Sequence, residues 1–278
     1  MNKMPGNLIS RLCYYIPIAV VIGIQILPLY VILLTSLKEP ITLLYEKGAI
    51  NFEGLSLANY SRVILKDQLW IPIKTSMIIG ITSTGISVIV GSLAAYGLAT
   101  FKFKGSWLIS MGILCSRMVP PVALALPAFL LLRMFGAVDN YMGLILAHTT
   151  FNLPFAIWLM IPFFQMLPKD YSDAAALDGL GAWQTFSLIY FPLAKPGIVV
   201  AAIFCFLMSW NDFLYSLILA GSDTRTAPLA INAYMTSDQI EWGAMSAASM
   251  IVLIPVLIFC RYLQNHLIGG LTSGGVKG

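Results

Sequence analysis

Apolar residues fall in long runs at 14–37, 71–99, 107–132, 142–166, 198–220 and 244–263, with polar intervals between them. Each run reaches the roughly 20 residues that a helix needs to cross a bilayer. The pattern predicts an all-α integral membrane protein with six transmembrane helices and both termini on one side. Pro17 and Pro28 predict kinks in the first span. In the third, Pro120-Pro121 break the run near its middle and Pro127 bends it again. Irregular backbone at membrane depth is tolerated only where it is buried in protein or lines a cavity, so this span predicts a cavity wall. Asn152 and Pro154 interrupt the fourth. The second is rich in small residues (Gly80, Ser83, Thr84, Gly91, Ser92) that let helices approach closely, so it predicts a place inside the bundle.

The polar intervals are unequal. A handful of residues is enough to join two spans, yet the interval from Leu167 to Gly197 is far longer and carries helix grammar. Pro168 suits a helix start, and Asp170 and Asp173 fall in the first turns, where the macrodipole favours negative charge. Gly179 and Gly181 interrupt that helix. A second piece over 183–190 is expected to stop before Pro192. Two short, water-facing helices at an angle would make a docking surface for a soluble partner. On the opposite side, the 38–70 and 221–241 loops carry most of the acids, among them Glu39, Glu46, Glu53, Asp67 and Glu241.

Composition agrees with a membrane solvent. The 278 residues are 59% hydrophobic and 10% charged, against roughly 25% charged in soluble domains, and mean hydropathy is +0.85. The net charge of +4 is dispersed, with no basic cluster to suggest nucleic acid. Of the 16 Lys and Arg, eight fall on the side of the 167–197 interval, seven on the other, and Arg117 inside a span, so positive charge does not orient the chain. Cys13, Cys115, Cys205 and Cys260 lie in apolar runs without paired spacing, which argues against disulfides and zinc. Lys3 and Arg11 precede the first apolar run, but it is long enough to span and no small-residue cleavage site follows, so it reads as a retained span.

The 167–197 interval resembles the cytoplasmic loop of bacterial ABC importer permeases. That loop has Glu-Ala-Ala, three residues, Gly, nine residues, then Ile, any residue and Leu-Pro. Here stand Asp173-Ala174-Ala175, Gly179 and Ile189-Tyr190-Phe191-Pro192 at the same spacing. Asp173 replaces Glu, keeping the charge on a shorter arm, and Phe191 replaces Leu, keeping an apolar contact. Within that family the chain is similar to carbohydrate-type permeases of the maltose-permease kind. Asn59-Tyr60, Pro120-Pro121, Trp210-Asn211-Asp212, Trp242-Gly243 and the ending Gly270 to Gly278 carry the likeness.

The resemblance implies a type I importer permease, with an N-terminal span and outer loop (1–70), a permease domain (71–266) and a cytoplasmic glycine-rich tail (267–278). It implies the bacterial inner membrane with both termini cytoplasmic. Its partners would be a second homologous permease, a dimer of ATP-binding subunits that hold ATP and Mg, and an extracytoplasmic solute-binding protein that meets the outer loops. Coupling to the ATPase would run through Asp173, Ala174, Ala175, Gly179, Ile189 and Pro192. A phosphorylated polyol such as glycerol phosphate is the alternative solute. An ion-coupled secondary transporter is more distant, since it should show inverted repeats and several mid-membrane acids.

Residue chemistry gives this chain no catalytic constellation or cofactor site of its own. His148 and His266 lack metal-ligand spacing, and the glycine-rich end lacks the Gly-Lys-Ser/Thr of a phosphate loop. It is expected to be non-catalytic. Arg117 and Asp212 are charges inside spans, which are costly and face a cavity or the bundle interior. They predict either a polar lining for a hydroxyl-rich solute or buried groups satisfied by each other or by freed carbonyls. Trp210, Asn211 and Tyr215 supply aromatic and polar groups of the kind that hold sugars, though helical spacing equally makes Trp210, like Trp158, a packing residue.

Overall fold

The computed structural model describes residues 8–39, 54–101 and 103–274, with side chains over 14–39, 54–101 and 103–261. Expectations on Glu46, Glu53 and residues 275–278 lie outside the described residues. The structure is mostly helical, with no strand among the described residues. By packing, the chain divides into two units, residues 1–69 with 231–253 and residues 70–230 with 254–278.

In the first unit, α1 (Leu8–Ser36) is followed by α2 (Ala58–Ser61), which widens into a π turn over Arg62–Lys66. The second unit starts with α3 (Trp70–Thr100). It continues through α4 (Ser106–Ser116), α5 (Pro121–Met134), α6 (Tyr141–Gln165) and α7 (Asp170–Leu177). Next is α8 (Ala182–Thr185), which runs through a π turn at Phe186–Tyr190 into Phe191–Leu193. The chain goes on with α9 (Lys195–Trp210), α10 (Leu214–Leu219), α11 (Ala227–Asn232) and α12 (Trp242–Gly274). The glycine-rich stretch from 267 is therefore helical as far as Gly274.

Among the described residues, four helices are long and apolar enough to cross a membrane alone: Tyr14–Ser36, Trp70–Thr100, Tyr141–Gln165 and Trp242–Arg261. Two bent pairs reach that length and apolarity only when each is taken as one span, Ser106–Ser116 with Pro121–Met134 at 94° and Ala182–Leu193 with Lys195–Trp210 at 78°. The first bend lies where the double proline predicted a break. Pro120 is extended (φ −58°, ψ 129°) and Pro121 takes the first position of α5, where its missing N–H costs nothing.

A break further along the chain corrects the expected fifth span. Instead of one helix over 198–220, α9 stops at Trp210 and α10 starts at Leu214. Polar side chains between them make the break. Asn211 Nδ2 donates to the Leu207 carbonyl (2.8 Å), and the Asp212 carboxylate accepts the Ser216 N–H (3.1 Å), so one helix end and one helix start are both satisfied. The 183–190 piece also fails to stop before Pro192. The Phe191 N–H bonds back to Phe186 across the wider turn, and helix continues to Leu193. A π turn shifts the carbonyls that the proline ring would otherwise strike.

Small residues put α3 inside the bundle, as expected. Its most apolar stretch is 44% buried, against 6% for Tyr14–Ser36. A Cβ on Gly91 would come within 2.8 Å of the Ala156 methyl on α6, and one on Gly80 within 3.0 Å of the Phe206 ring on α9.

The far ends of the spans are tied by one carboxylate. Asp139 sits in the left-handed region (φ 51°), which Asp and Asn tolerate best among residues with a Cβ. It accepts the Thr224 hydroxyl (2.7 Å), the Gly221 N–H (2.8 Å) and the Thr224 N–H (3.2 Å). A Cβ on Gly221 would collide with this carboxylate. The Thr224 hydroxyl, then the Gly221, Asp223 and Thr224 N–H groups, hold the Asp139 pKa below the usual 3.8 despite partial burial. A depressed carboxylate pKa means that the unfolded chain binds more protons, so this stabilisation is full above the ordinary value and fades as pH falls through the folded one. Asp139→Asn is therefore expected to lower the thermal midpoint of the purified protein at pH 7, with the gap to wild type closing below pH 3.8. A gap that persists unchanged in acid would show that the carboxylate charge is not what holds the loop.

Candidate functional site

The 167–197 segment folds as two helical arms. In the first, Asp170 and Asp173 occupy the opening turn of α7 and Ala175 is its buried residue. The helix ends in a Schellman motif, with the Gly179 N–H on the Ala176 carbonyl (3.1 Å) and the Leu180 N–H on the Ala175 carbonyl (2.9 Å). That motif needs a left-handed residue, and Gly179 supplies it at φ 74°. Nothing lies within 4 Å of where a Gly179 Cβ would stand. Within the chain, then, glycine answers a conformational demand, and any close approach is one that a partner would make.

The second arm is anchored by rings. Tyr190 lies 4.9 Å from Tyr96 on α3, and Phe186 lies 5.2 Å from the same ring, centroid to centroid. Phe164 of α6 closes the cluster at 5.9 Å from Tyr96. The Tyr190 hydroxyl bonds Ser172 on α7 at 2.5 Å, which links the two arms. Of the residues carrying the motif, Asp173, Ala174 and Pro192 are exposed, Ile189 is half-buried and Ala175 faces inward. Three exposed apolar side chains that sequence reasoning did not single out stand beside them: Leu177 (90% exposed), Trp183 (65%) and Leu188 (64%).

Deeper in the second unit, a cavity of about 340 Å³ is lined by Arg117, Thr150, Phe151, Asp212 and Tyr215 together with apolar neighbours. Three of the five residues expected on a translocation path therefore meet here. Trp210 and Asn211 do not line it. Trp210 is buried (1% exposed) and stacked on Phe206 at 5.5 Å, the packing role that its spacing allowed. Asn211 points to the end of α9.

Arg117 and Asp212 form no ion pair among the described residues. The Arg117 guanidinium rests 4.6 Å over the Phe155 ring, a cation–π contact. Asp212 binds the start of α10 through the Ser216 N–H and hydroxyl (3.1 and 3.3 Å). Its other close neighbour is His148 Nε2, 3.4 Å away. His148 is itself buried, with Nδ1 2.5 Å from the Ser209 hydroxyl, which is 3.2 Å from Ser83. An N–H on Nε2 would face the carboxylate and leave Nδ1 to accept from Ser209. His148 is thus the site residue that sequence reasoning set aside. Its partners stand 61 and 64 positions further on, and no local spacing announces them.

The first unit brings together two short motifs. Asn59 Nδ2 donates to the Ser36 and Lys38 carbonyls (3.0 and 2.7 Å), and a Cβ on Gly243 would come within 2.7 Å of that same nitrogen. Asn59-Tyr60 and Trp242-Gly243 are therefore halves of one packing site. Nearby, Arg62 pairs with Glu241 (2.7 Å) and Asp67 (3.5 Å), and the Tyr234 hydroxyl donates to Asp67 (3.0 Å). Burial, then the bond to Asp67, pushes the Tyr234 phenol well above its usual range. Asp67 and Glu241, two of the outer-loop acids, are thus already engaged within the chain.

Residues 87–271 match the model of a family described as the binding-protein-dependent transport system inner membrane component. The chain is 36% identical to the trehalose transport system permease protein SugB of Mycobacterium tuberculosis, over 93% of this chain and 94% of that one. It is 33% identical to the trehalose/maltose transport system permease protein MalG of Thermococcus litoralis, over 80% and 82%. The diacetylchitobiose uptake system permease protein NgcG of Streptomyces coelicolor is 30% identical, over 90% and 84%. Among solved structures, a chain of a bacterial ABC transporter involved in the import of the acidic polysaccharide alginate superposes with a TM-score of 0.77. At 21% identity, over 94% of this chain and 99% of that one, the likeness is one of fold.

Proposed function

Because this chain belongs to the family of binding-protein-dependent transport system inner membrane components, we propose that it is a membrane-spanning permease subunit of an ATP-driven carbohydrate importer. Relatives named for trehalose, maltose and diacetylchitobiose support the solute class. The single observation that carries the mechanism is the two-armed segment at 167–193, which exposes Leu177, Trp183 and Leu188 beside its acids and is locked by rings to α3 and α6. An ATPase dimer closing on ATP would move α7. Tyr190, Phe186, Tyr96 and Phe164 would pass that movement to the spans as a rigid body, opening the cavity to one side and then the other. Such coupling needs contacts that differ in free energy between the two states, not attachment alone. Leu177, Trp183 and Leu188 are the side chains placed to make them.

In this reading the chain translocates solute and does no chemistry. ATP and Mg belong to the partner subunits, a second homologous permease completes the path, and a solute-binding protein delivers from the side of the 54–69 and 221–241 loops. The docking segment and both termini face the cytoplasm of a bacterial inner membrane. The phosphorylated-polyol alternative draws on Arg117 as a cation at the cavity. Against it, Arg117 is already seated on Phe155, and the Asp212 carboxylate on the same wall would repel phosphate.

The test is transport by the complete complex in proteoliposomes, with labelled trehalose, maltose and diacetylchitobiose as probes. Accumulation of at least one of them is expected only with ATP and the binding protein. Accumulation driven by a proton or sodium gradient with no ATPase present would overturn the proposal.

A further inference from the structure

Two cavities follow one another along the same pair of helices. The cavity of about 340 Å³ takes Thr150, Phe151 and Pro154 from α6, and Ser116 and Arg117 from the end of α4. A second, of about 390 Å³, takes Trp158, Ile161 and Gln165 from the next turns of α6, and Ser106, Trp107 and Ser110 from the beginning of α4. Phe155 falls between the two sets on α6, and the Arg117 guanidinium covers its ring at 4.6 Å. The Phe155 ring is in turn 6.4 Å from Trp158. The Arg117–Phe155 contact therefore falls, along α6, between the residues that line the two cavities.

The chambers differ in chemistry. The first holds Arg117 and Asp212; none of the described residues lining the second is charged. What the second offers is two indole rings, Trp107 (67% exposed) and Trp158 (49%), with the Gln165 amide and two serine hydroxyls. The Ser110 hydroxyl spends its proton on the Ser106 carbonyl (2.9 Å) and keeps its lone pairs to accept. Flat apolar faces flanked by neutral donors and acceptors suit a pyranose ring, which is apolar on its C–H faces and ringed by hydroxyls. The volume lies in the range of small-molecule sites. The place fits as well: α4 starts just after Gly105 and α6 ends at Gln165, so this chamber sits at the docking-segment end of the spans.

Resting on the carbohydrate-importer reading, we propose that this chamber is a second saccharide subsite, where a neutral sugar stacks on Trp107 and Trp158 after passing the Arg117–Phe155 contact. The first chamber admits the solute among charged groups. The second receives it on rings and amides before release.

The experiment uses the complete importer in nanodiscs and proteoliposomes, with the same three labelled saccharides. Trp158→Ala is expected to lower uptake of the transported saccharide about tenfold and Trp107→Ala about fivefold. Trp158→Phe, which keeps a ring to stack on, should stay within about twofold of wild type. Quenching of indole fluorescence by brominated phospholipid, compared between wild type and Trp158→Phe, isolates the Trp158 signal. It should be weakly quenched, and the saccharide should alter its emission. This measurement also decides the matter if Trp158→Ala fails to assemble. Uptake by Trp158→Ala at the wild-type rate would overturn the subsite and leave the importer standing. Strong lipid quenching that saccharide does not relieve would do the same, by making the chamber a lipid seat. Absence of uptake of all three saccharides by the wild-type complex would overturn both readings.

Discussion

Gly179→Trp is expected to abolish ATP-driven uptake while ATP hydrolysis continues in the assembled complex. Two effects contribute, and a three-variant series separates them. The first is conformational. Gly179 is held at φ 74° by a Schellman motif, a backbone region that costs a residue with a Cβ about 1–2 kcal/mol. Gly179→Asn should be mild, because a short polar side chain tolerates that region. Gly179→Ala should lower uptake by about tenfold, the factor that 1.4 kcal/mol represents, through fraying of the end of α7. The second is steric. Nothing within the chain lies within 4 Å of the added Cβ, so any loss in the tryptophan variant beyond that of alanine measures a partner's surface. If Trp and Ala lose uptake equally, the motif needs its glycine for backbone conformation alone and nothing docks there. If Trp transports normally, the coupling assignment falls.

Tyr190→Ala has the next largest expected effect, and it tests the lever rather than the contact. Tyr190 is buried, packs 4.9 Å from Tyr96 and bonds Ser172. Removing a buried ring costs about 3–5 kcal/mol. Here that loss loosens the second arm from α3 and α6. Uptake should collapse to a few per cent of wild type at equal complex abundance, while ATP hydrolysis remains measurable. Tyr190→Phe keeps the ring and loses only the hydroxyl bond, worth about 1 kcal/mol, so it should retain most uptake. Equal defects in both variants would place the function in the Ser172 bond and not in the ring cluster.

The two experiments address features that were legible in different degrees. The spacing from Asp173 to Gly179 and Ile189 was visible in the chain, and the Schellman turn gives it a local physical cause. The ring cluster was not visible, because Tyr96 and Phe164 come from helices that are distant in sequence. Trp210 and Asn211 were singled out by residue type. The fold turns one into core and the other into a helix end, since the choice depends on which way α9 faces. Asp212 belongs to the cavity, yet most of its hydrogen bonding goes to the start of α10.

Read along the chain alone, spanning length, the proline break at 120–121, the small-residue face of α3 and the spacing of the docking segment were already decided. Each depends on interactions within a few turns of helix or on the length of an apolar run. Three things had to wait for packing: the break at Asn211–Phe213, the pairing of His148 with Asp212 and Ser209, and the seat of Arg117 on the Phe155 ring. A polar residue in an apolar run can cap a helix, line a cavity or pair with a distant neighbour. Which of these it does is a matter of who stands within 3.5 Å, and in a bundle those neighbours come from other helices.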